Sequence, residues 1–323
     1  MKRGQGEQFN WIFIIVSGAV ILAFFTLFAF RYINLQENRQ DVRSIVNLGG
    51  VLNTLEKLQV GDKGASIDSN ELDSGLRFNY DLELNYQCIN NKANLFIGSG
   101  EFADYKLQDE ILFINSKQRI DSLDMWIIPW RFPFHITNFI YLSDPNINYN
   151  LVYDSENRDF VNKLEISRAF NVEIVDINDL EIKDDSRYLF FTNRIPDQNK
   201  VFSYLEGKEN VKFVYINLNN EETYFFEDGW KGQIKYYGNE MMIGAMFSDS
   251  ADNYECNVNK GLTKLKDVSS IYLEKAKVLS QVSKNGCNYN IIADQLADFA
   301  DGNYQNFDKL KSFSKETGCL WVF

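Results

Sequence analysis

Three carboxylates hold the positions from which chemistry would most readily be done. Asp154 and Asp176 each follow a short apolar run of strand character, and Asp179 stands just beyond the second. In a parallel sheet, ligands settle at the carboxyl ends of the strands. Carboxylates gathered there would offer the hard oxygen ligands that Mg²⁺ takes. Asp in this position also caps the following helix or turn by accepting backbone N–H groups, and the sequence leaves both roles open. The run at 151–153 leads into Asp154-Ser155-Glu156-Asn157-Arg158 rather than a G-x-G-x-x-G. Neither a Walker A sequence nor a G-x-S-x-G elbow occurs anywhere, so no nucleotide cofactor is expected.

His135 is the only histidine, which excludes multi-histidine metal sites and weakens any serine triad. It ends Trp130-Arg131-Phe132-Pro133-Phe134-His135, in an aromatic stretch that begins at Trp126. Trp126, Trp130, Phe132 and His135 could present an aromatic surface to a glycan or lipid headgroup. The same rings could instead fill the core between two domains. Arg131 and the two prolines argue against a second membrane span there.

The four cysteines, Cys88, Cys256, Cys287 and Cys319, lack the C-x-x-C spacing of zinc or redox sites. An even number in a body outside the cytoplasm implies two disulfides. A straight helix over 261–284 has ends about 36 Å apart, with Cys256 and Cys287 at opposite ends and far beyond bonding reach. Two shorter helices after it would return Cys319 to the level of Cys287. The expected pairs are therefore Cys287–Cys319 and Cys88–Cys256. Four buried thiols facing the cytosol are the alternative.

These groups need elements to carry them. An apolar fraction of 45% and an aromatic fraction of 15% can build real cores. Beyond residue 43 the chain carries 28 basic and 42 acidic side chains. That excess repels phosphate backbones, so no nucleic acid is expected as a partner. Residues 9–30 contain no charge, and the twenty from 11 to 30 would span roughly 30 Å as a helix, the thickness of a bilayer core. Trp11 at one end and Arg31 with Tyr32 at the other suit the interfaces. The stretch is longer than a signal-peptide core and no small-x-small cleavage site follows it. Residues 9–33 are read as a retained anchor whose partner is the lipid bilayer.

The leader Lys2-Arg3-Gly4-Gln5-Gly6-Glu7 before that anchor resembles the class III leader of archaeal type IV pilins. In that family a peptidase cuts after a basic–Gly pair and the mature chain begins with Gln. The resemblance implies processing between Gly4 and Gln5, and it covers only about the first thirty residues. Pilins usually carry an acid at the fifth mature position, here Phe9, whereas Glu7 is third. That acid is thought to pair with a neighbour's new amine during filament assembly, so the departure bears on assembly more than on membrane placement. The layout also looks like that of uncharacterised single-pass proteins of small archaeal genomes.

After a leader at 1–8 and the anchor, residues 34–75 read as an amphipathic stalk helix and a Gly/Ser/acid-rich linker. Val42, Ile45, Leu48, Leu52 and Leu55 recur at spacings of three and four, a stripe for self-association or for packing on the chain's own domain. Strict alternation from Phe78 to Cys88 predicts a half-buried strand, and short strands near 95–97, 111–114, 125–128 and 139–142 complete a small antiparallel β domain over 76–148. Continuous apolar runs at 151–153, 172–175, 188–191 and 211–216, separated by helical stretches near 158–170 and 199–208, predict a Rossmann-like α/β domain over 149–250. A hairpin at 233–247, turning at Gly238-Asn239, is expected at its edge. Residues 251–323 read as a helical, cysteine-containing tail, with helices over 261–284, 289–300 and 304–316. The class is α+β. The expected function is a membrane-anchored extracytoplasmic structural or interaction protein, pilin-like or envelope-associated. The competing class is a membrane-tethered hydrolase or ligand-binding enzyme using the strand-end carboxylates.

Overall fold

A computed structural model describes residues 5–57, 65–67, 77–98, 103–131, 134–166, 168, 170–282 and 289–304. The chain opens with α1 (Gln5–Glu56), one helix of 52 residues and about 78 Å. Its segment Phe13–Ile33 is long and apolar enough to cross a membrane, and none of it is buried within the protein. Phe25 and Leu27, for example, are 63% and 67% exposed. Further along, the same helix changes environment. Ile45, Leu48, Leu52 and Leu55 are all 6% exposed or less and join a core with strand residues.

The stripe offered for self-association is thus occupied by the chain's own β core, with Val42 alone left exposed. The physical reason is proximity: the facing sheet has an apolar side of its own, and each such burial contributes roughly 1.5–3 kcal/mol. Gly49 and Gly50 do not break the helix. A side chain at Gly49 would collide with the ring of Tyr105, so this glycine is where helix and sheet approach most closely.

Eight strands follow: β1 (Ala65–Ile67), β2 (Arg77–Ile89), β3 (Lys92–Ile97), β4 (Asp104–Leu107), β5 (Ile111–Phe113), β6 (Lys117–Ser122), β7 (Asp124–Arg131) and β8 (His135–Ser143). They form two four-stranded sheets, ordered β4-β3-β2-β6 and β1-β7-β8-β5. The alternation read for β2 holds, with Leu82, Leu84, Tyr86 and Cys88 buried. It turns into β3 through Asn90 and Asn91 at φ 51° and 62°, as a two-residue hairpin requires. Two features differ from expectation. Part of the supposed linker is β1, paired with β7. And β5 lies parallel to β8, because the chain visits the other sheet as β6 before returning.

The second sheet is buried on both faces, which explains its continuous apolar runs. Leu112, Met125, Ile127, Ile140 and Leu142 point to the core shared with α1 and β2. Phe113, Trp126, Ile128, Phe139 and Tyr141 point the other way, into a core shared with residues of the later sheet and helices such as Leu151, Leu189, Phe247 and Leu265. The boundary drawn at 148/149 therefore falls between sheets that share one core.

Next come β9 (Asn148–Tyr153), α2 (Arg158–Val161), β10 (Asn171–Asp176), β11 (Ser186–Phe191), α3 (Gln198–Leu205), β12 (Val211–Asn217), β13 (Glu222–Phe226) and β14 (Trp230–Lys235). They make a six-stranded sheet ordered β10-β9-β11-β12-β13-β14, with the first four strands parallel and the last two antiparallel. Along β11, Leu189 and Phe191 face the central core while Tyr188 and Phe190 face a smaller one beneath α3. The helix expected over 158–170 stops after one turn at Val161; Leu164 and Ile166 reach the core from irregular backbone.

The hairpin expected at 233–247 is corrected. The antiparallel turn lies earlier, between β13 and β14, and residues 239–247 form α4 (Asn239–Phe247) with Gly238 at its N-cap. Met241 to Phe247 are all buried, so this helix is apolar all round, and a short apolar run of that kind carries no period to separate helix from strand. The long helix α5 (Ala251–Val282) begins about ten residues earlier than expected, and α6 (Tyr289–Ala300) packs back on it. The helix expected at 304–316 lies almost wholly outside the described residues.

Candidate functional site

The strand-end carboxylates serve as caps. Asp154 Oδ1 accepts from the backbone N of Glu156 and Asn157 at 3.2 and 3.1 Å and from Asn157 Nδ2 at 2.9 Å. Its Oδ2 accepts from Asn193 N at 3.0 Å, so one carboxylate ties the loop after β9 to the loop after β11. Asp176 caps the short 3-10 turn Ile177–Asp179, accepting from Asn178 N at 2.9 Å and Nδ2 at 2.8 Å. Asp179 lies within that turn and is exposed. Among the described residues no group of three His, Cys, Asp or Glu is arranged to hold a metal ion.

Among the described residues, the rings of the aromatic stretch are turned inward. Trp126 and Trp130 are 4% and 1% exposed, and Trp130 stacks on Phe139 with centroids 5.2 Å apart. His135 is exposed beside them and bonds through Nε2 to Asn138 Oδ1 at 3.1 Å. Phe132 lies outside the described residues. The rings fill the core because β7 and β8 alternate between two apolar layers and have no wet face.

Cys88 and Cys256 form a disulfide, with Cα atoms 5.8 Å apart, joining β2 to α5. Cys287, Cys319 and Gly4 lie outside the described residues, and Gln5 is the first residue of α1.

Sequence reasoning missed a polar stripe on α5. Asn253, Asn257, Lys260 and Lys264 recur at four, three and four, hence on one helical face. Asn253 Oδ1 accepts from Cys88 N at 2.9 Å, and its Nδ2 donates to Ser116 Oγ at 2.8 Å. Asn257 Oδ1 accepts from Tyr86 OH at 2.7 Å, and its Nδ2 donates to Leu112 O at 2.8 Å. Lys260 Nζ donates to Glu110 O at 2.7 Å, and Lys264 Nζ pairs with Glu56 Oε1 at 2.7 Å. The stripe satisfies backbone groups at strand ends that would otherwise be buried without partners. Burial lowers the Lys260 ammonium to a pKa of about 8, the nearby Glu110 opposing only part of the effect.

At its far end this stripe meets the end of α1. Asn138 Nδ2 donates to Leu55 O at 3.1 Å and to Glu56 O at 2.9 Å, filling the carbonyls that a helix C-terminus leaves open. The signal for this was the odd placing of amides and lysines in an otherwise apolar helical repeat, which marks α5 as lying against polar backbone rather than water.

The seam between β7, α4 and the loop after α2 leaves a half-open cleft of about 260 Å³. Trp126, Ile128, Leu164 and Ile243 form its apolar floor, and Lys163, Glu165, Asn239 and Glu240 its rim. Gly238 gives α4 no side-chain cap, and the Glu240 carboxylate lies against it at the start of the helix.

Compared with known proteins, the chain matches no family model, no curated protein and no solved structure.

Proposed function

We propose that the protein is a single-pass membrane protein whose globular body lies outside the cytoplasm and works there as a structural or interaction component. One observation carries this reading: a single helix runs from an exposed apolar segment directly into a core that is closed by a disulfide. An apolar helix with no cover of its own needs a bilayer, and structural disulfides persist in oxidising compartments. The capping roles of Asp154 and Asp176 support a body without strand-end catalysis.

Two finer elements belong to the same proposal. The leader at Lys2-Arg3-Gly4-Gln5 is a processing site of the pilin type, cut after Gly4. The four parallel strands ordered β10-β9-β11-β12 are a Rossmann-like core whose ligand crevice is closed by the Asp154–Asn193 contact.

The test is the intact mass of membrane-extracted protein, alkylated with and without prior reduction. Disulfide-bonded Cys88 and Cys256 in the unreduced sample, on a chain beginning at Gln5, are the expected result. Alkylation of both thiols before reduction would sink the extracytoplasmic placement. A mass that still includes Met1 to Gly4 would sink the leader.

A further inference from the structure

We infer that the outer face of α1 is a seam for a second copy of the chain, the two helices lying parallel and in register. The inference rests on the membrane placement proposed above.

Exposure shows the face. Past Ile33, where the apolar segment ends, the large apolar side chains that α1 exposes among the described residues are Leu35, Val42 and Val46, at 54%, 37% and 55%. At about 100° per residue, these three share an arc of about 80° with Phe28 and Tyr32. The buried stripe of Ile45, Leu48, Leu52 and Leu55 is centred about 140° away, so the body packs on the other side of the helix. A side chain at Gly50, the next position along the arc, would meet nothing within 4 Å, so the face is open there too.

The spacing is that of a coiled coil. Phe28, Tyr32, Leu35, Arg39, Val42 and Val46 follow one another by four, three, four, three and four residues. Inside the spanning segment nearly every residue is apolar and such a period says little. Beyond it, three of the four seam positions stay apolar although they face water.

The bilayer decides the occupant. The stripe passes unbroken from the spanning segment into water, so whatever covers it must itself cross the membrane beside α1. A second copy crosses with the same orientation and depth, which sets Leu35 on Leu35 and Val42 on Val42. Lipid alone would cover Phe28 and leave the other end of the stripe wet. Arg39 is the cost: its stem packs, its guanidinium reaches out to water, and the like charges keep the pair weak and reversible.

The experiment is oxidative cross-linking of the full-length protein in native membranes. Leu35→Cys, Val42→Cys and Val46→Cys test the seam, with Gln40→Cys and Asn47→Cys on its flank as controls. All five positions are exposed, so none of these changes disturbs the core. A disulfide-linked homodimer is expected at the three seam positions, at least about fivefold above the two controls and the wild type. In detergent, sedimentation equilibrium should show Arg39→Leu raising the association constant about tenfold and Val46→Glu lowering it about tenfold. With the protein in the membrane fraction, no dimer, equal cross-linking at all five positions, or cross-links to a different polypeptide would each overturn the inference alone. Protein recovered in the soluble fraction would sink the placement, and the seam with it.

Discussion

Lys264 on α5 and Glu56 at the end of α1 stand 2.7 Å apart, Nζ to Oε1, although 208 positions separate them in the chain. Their side chains are only 21% and 16% exposed, so the pair is shielded more than a surface ion pair. Thr137 Oγ1 at 3.3 Å from the same Nζ completes the contact. The consequence is a junction at which the apolar helix is fastened to the globular body by charge as well as by packing.

Removing one partner should therefore hurt more than removing both. Lys264→Met alone leaves Glu56 half-shielded and is expected to cost about 1–3 kcal/mol, whereas the double variant with Glu56→Gln recovers part of that loss. Asn138→Leu, which strips both bonds from the Leu55 and Glu56 carbonyls, should cost a similar ~1–3 kcal/mol. Urea unfolding of the wild type, these three variants and Glu56→Gln alone measures each term. Additive effects for Lys264 and Glu56 would show that the pair does not couple.

The closest approach of helix and sheet gives a second prediction. Gly49→Val must push aside the Tyr105 ring and is expected to destabilise by about 1–3 kcal/mol. Gly50→Val, one residue on, meets nothing within 4 Å and should be neutral or a few tenths of a kcal/mol stabilising, because Val costs a helix less than Gly does. Equal melting temperatures for the two variants would contradict the packing described.

Stability should rise with pH above neutrality. The folded pKa of Lys260, about 8, lies below its ordinary 10.5 because burial penalises the ammonium. Between those values the unfolded chain holds more protons, so unfolding becomes harder as pH climbs through the window. The full effect is at most about 3 kcal/mol. Below pH 8 Lys260 is charged in both states and adds no slope. Urea midpoints at about pH 7.5 and 9.5 should diverge for the wild type and move together for Lys260→Met. Tyr86 and Tyr254, held above the usual tyrosine range by burial, oppose the trend only at higher pH.

The disulfide closes a long span, 168 positions. Replacing Cys88 and Cys256 with Ala together is expected to cost about 2–5 kcal/mol, and reduction of the native protein should give a similar loss. Thermal unfolding with and without reductant checks both, and an unchanged transition would remove the bond's structural role.

The sequence carried local information faithfully where one environment acts on a whole segment. The apolar helix at 13–33, the alternating strand over 78–88 and the apolar runs at 188–191 and 211–216 were all legible, since their periods report burial on no, one or two protein faces. Two kinds of feature were not. Residues 241–247 are buried on every side, so their lack of period looked like an edge strand when they belong to a helix. Contacts between distant segments also left little local mark. Asn257 with Leu112, Lys264 with Glu56, and the cleft that joins Trp126 to Glu240 depend on how layers stack, and no spacing along the chain records that. The short strands at 65–67, 104–107 and 117–122 exist through their pairing partners more than through their own residues.

The unbroken course of α1 has a mechanical meaning. About eighteen Å of helix separate Ile33 from the first buried residue, Ile45, and the helix continues without interruption between them. Under the proposed placement the body cannot swivel on a loose tether, because its core and the anchor are parts of one rod. Helices lean further in thinner bilayers when their apolar length exceeds the hydrocarbon thickness. The thickness of the membrane would then steer the direction in which the body's far face looks, as a mast carries a lamp with the heel of its hull.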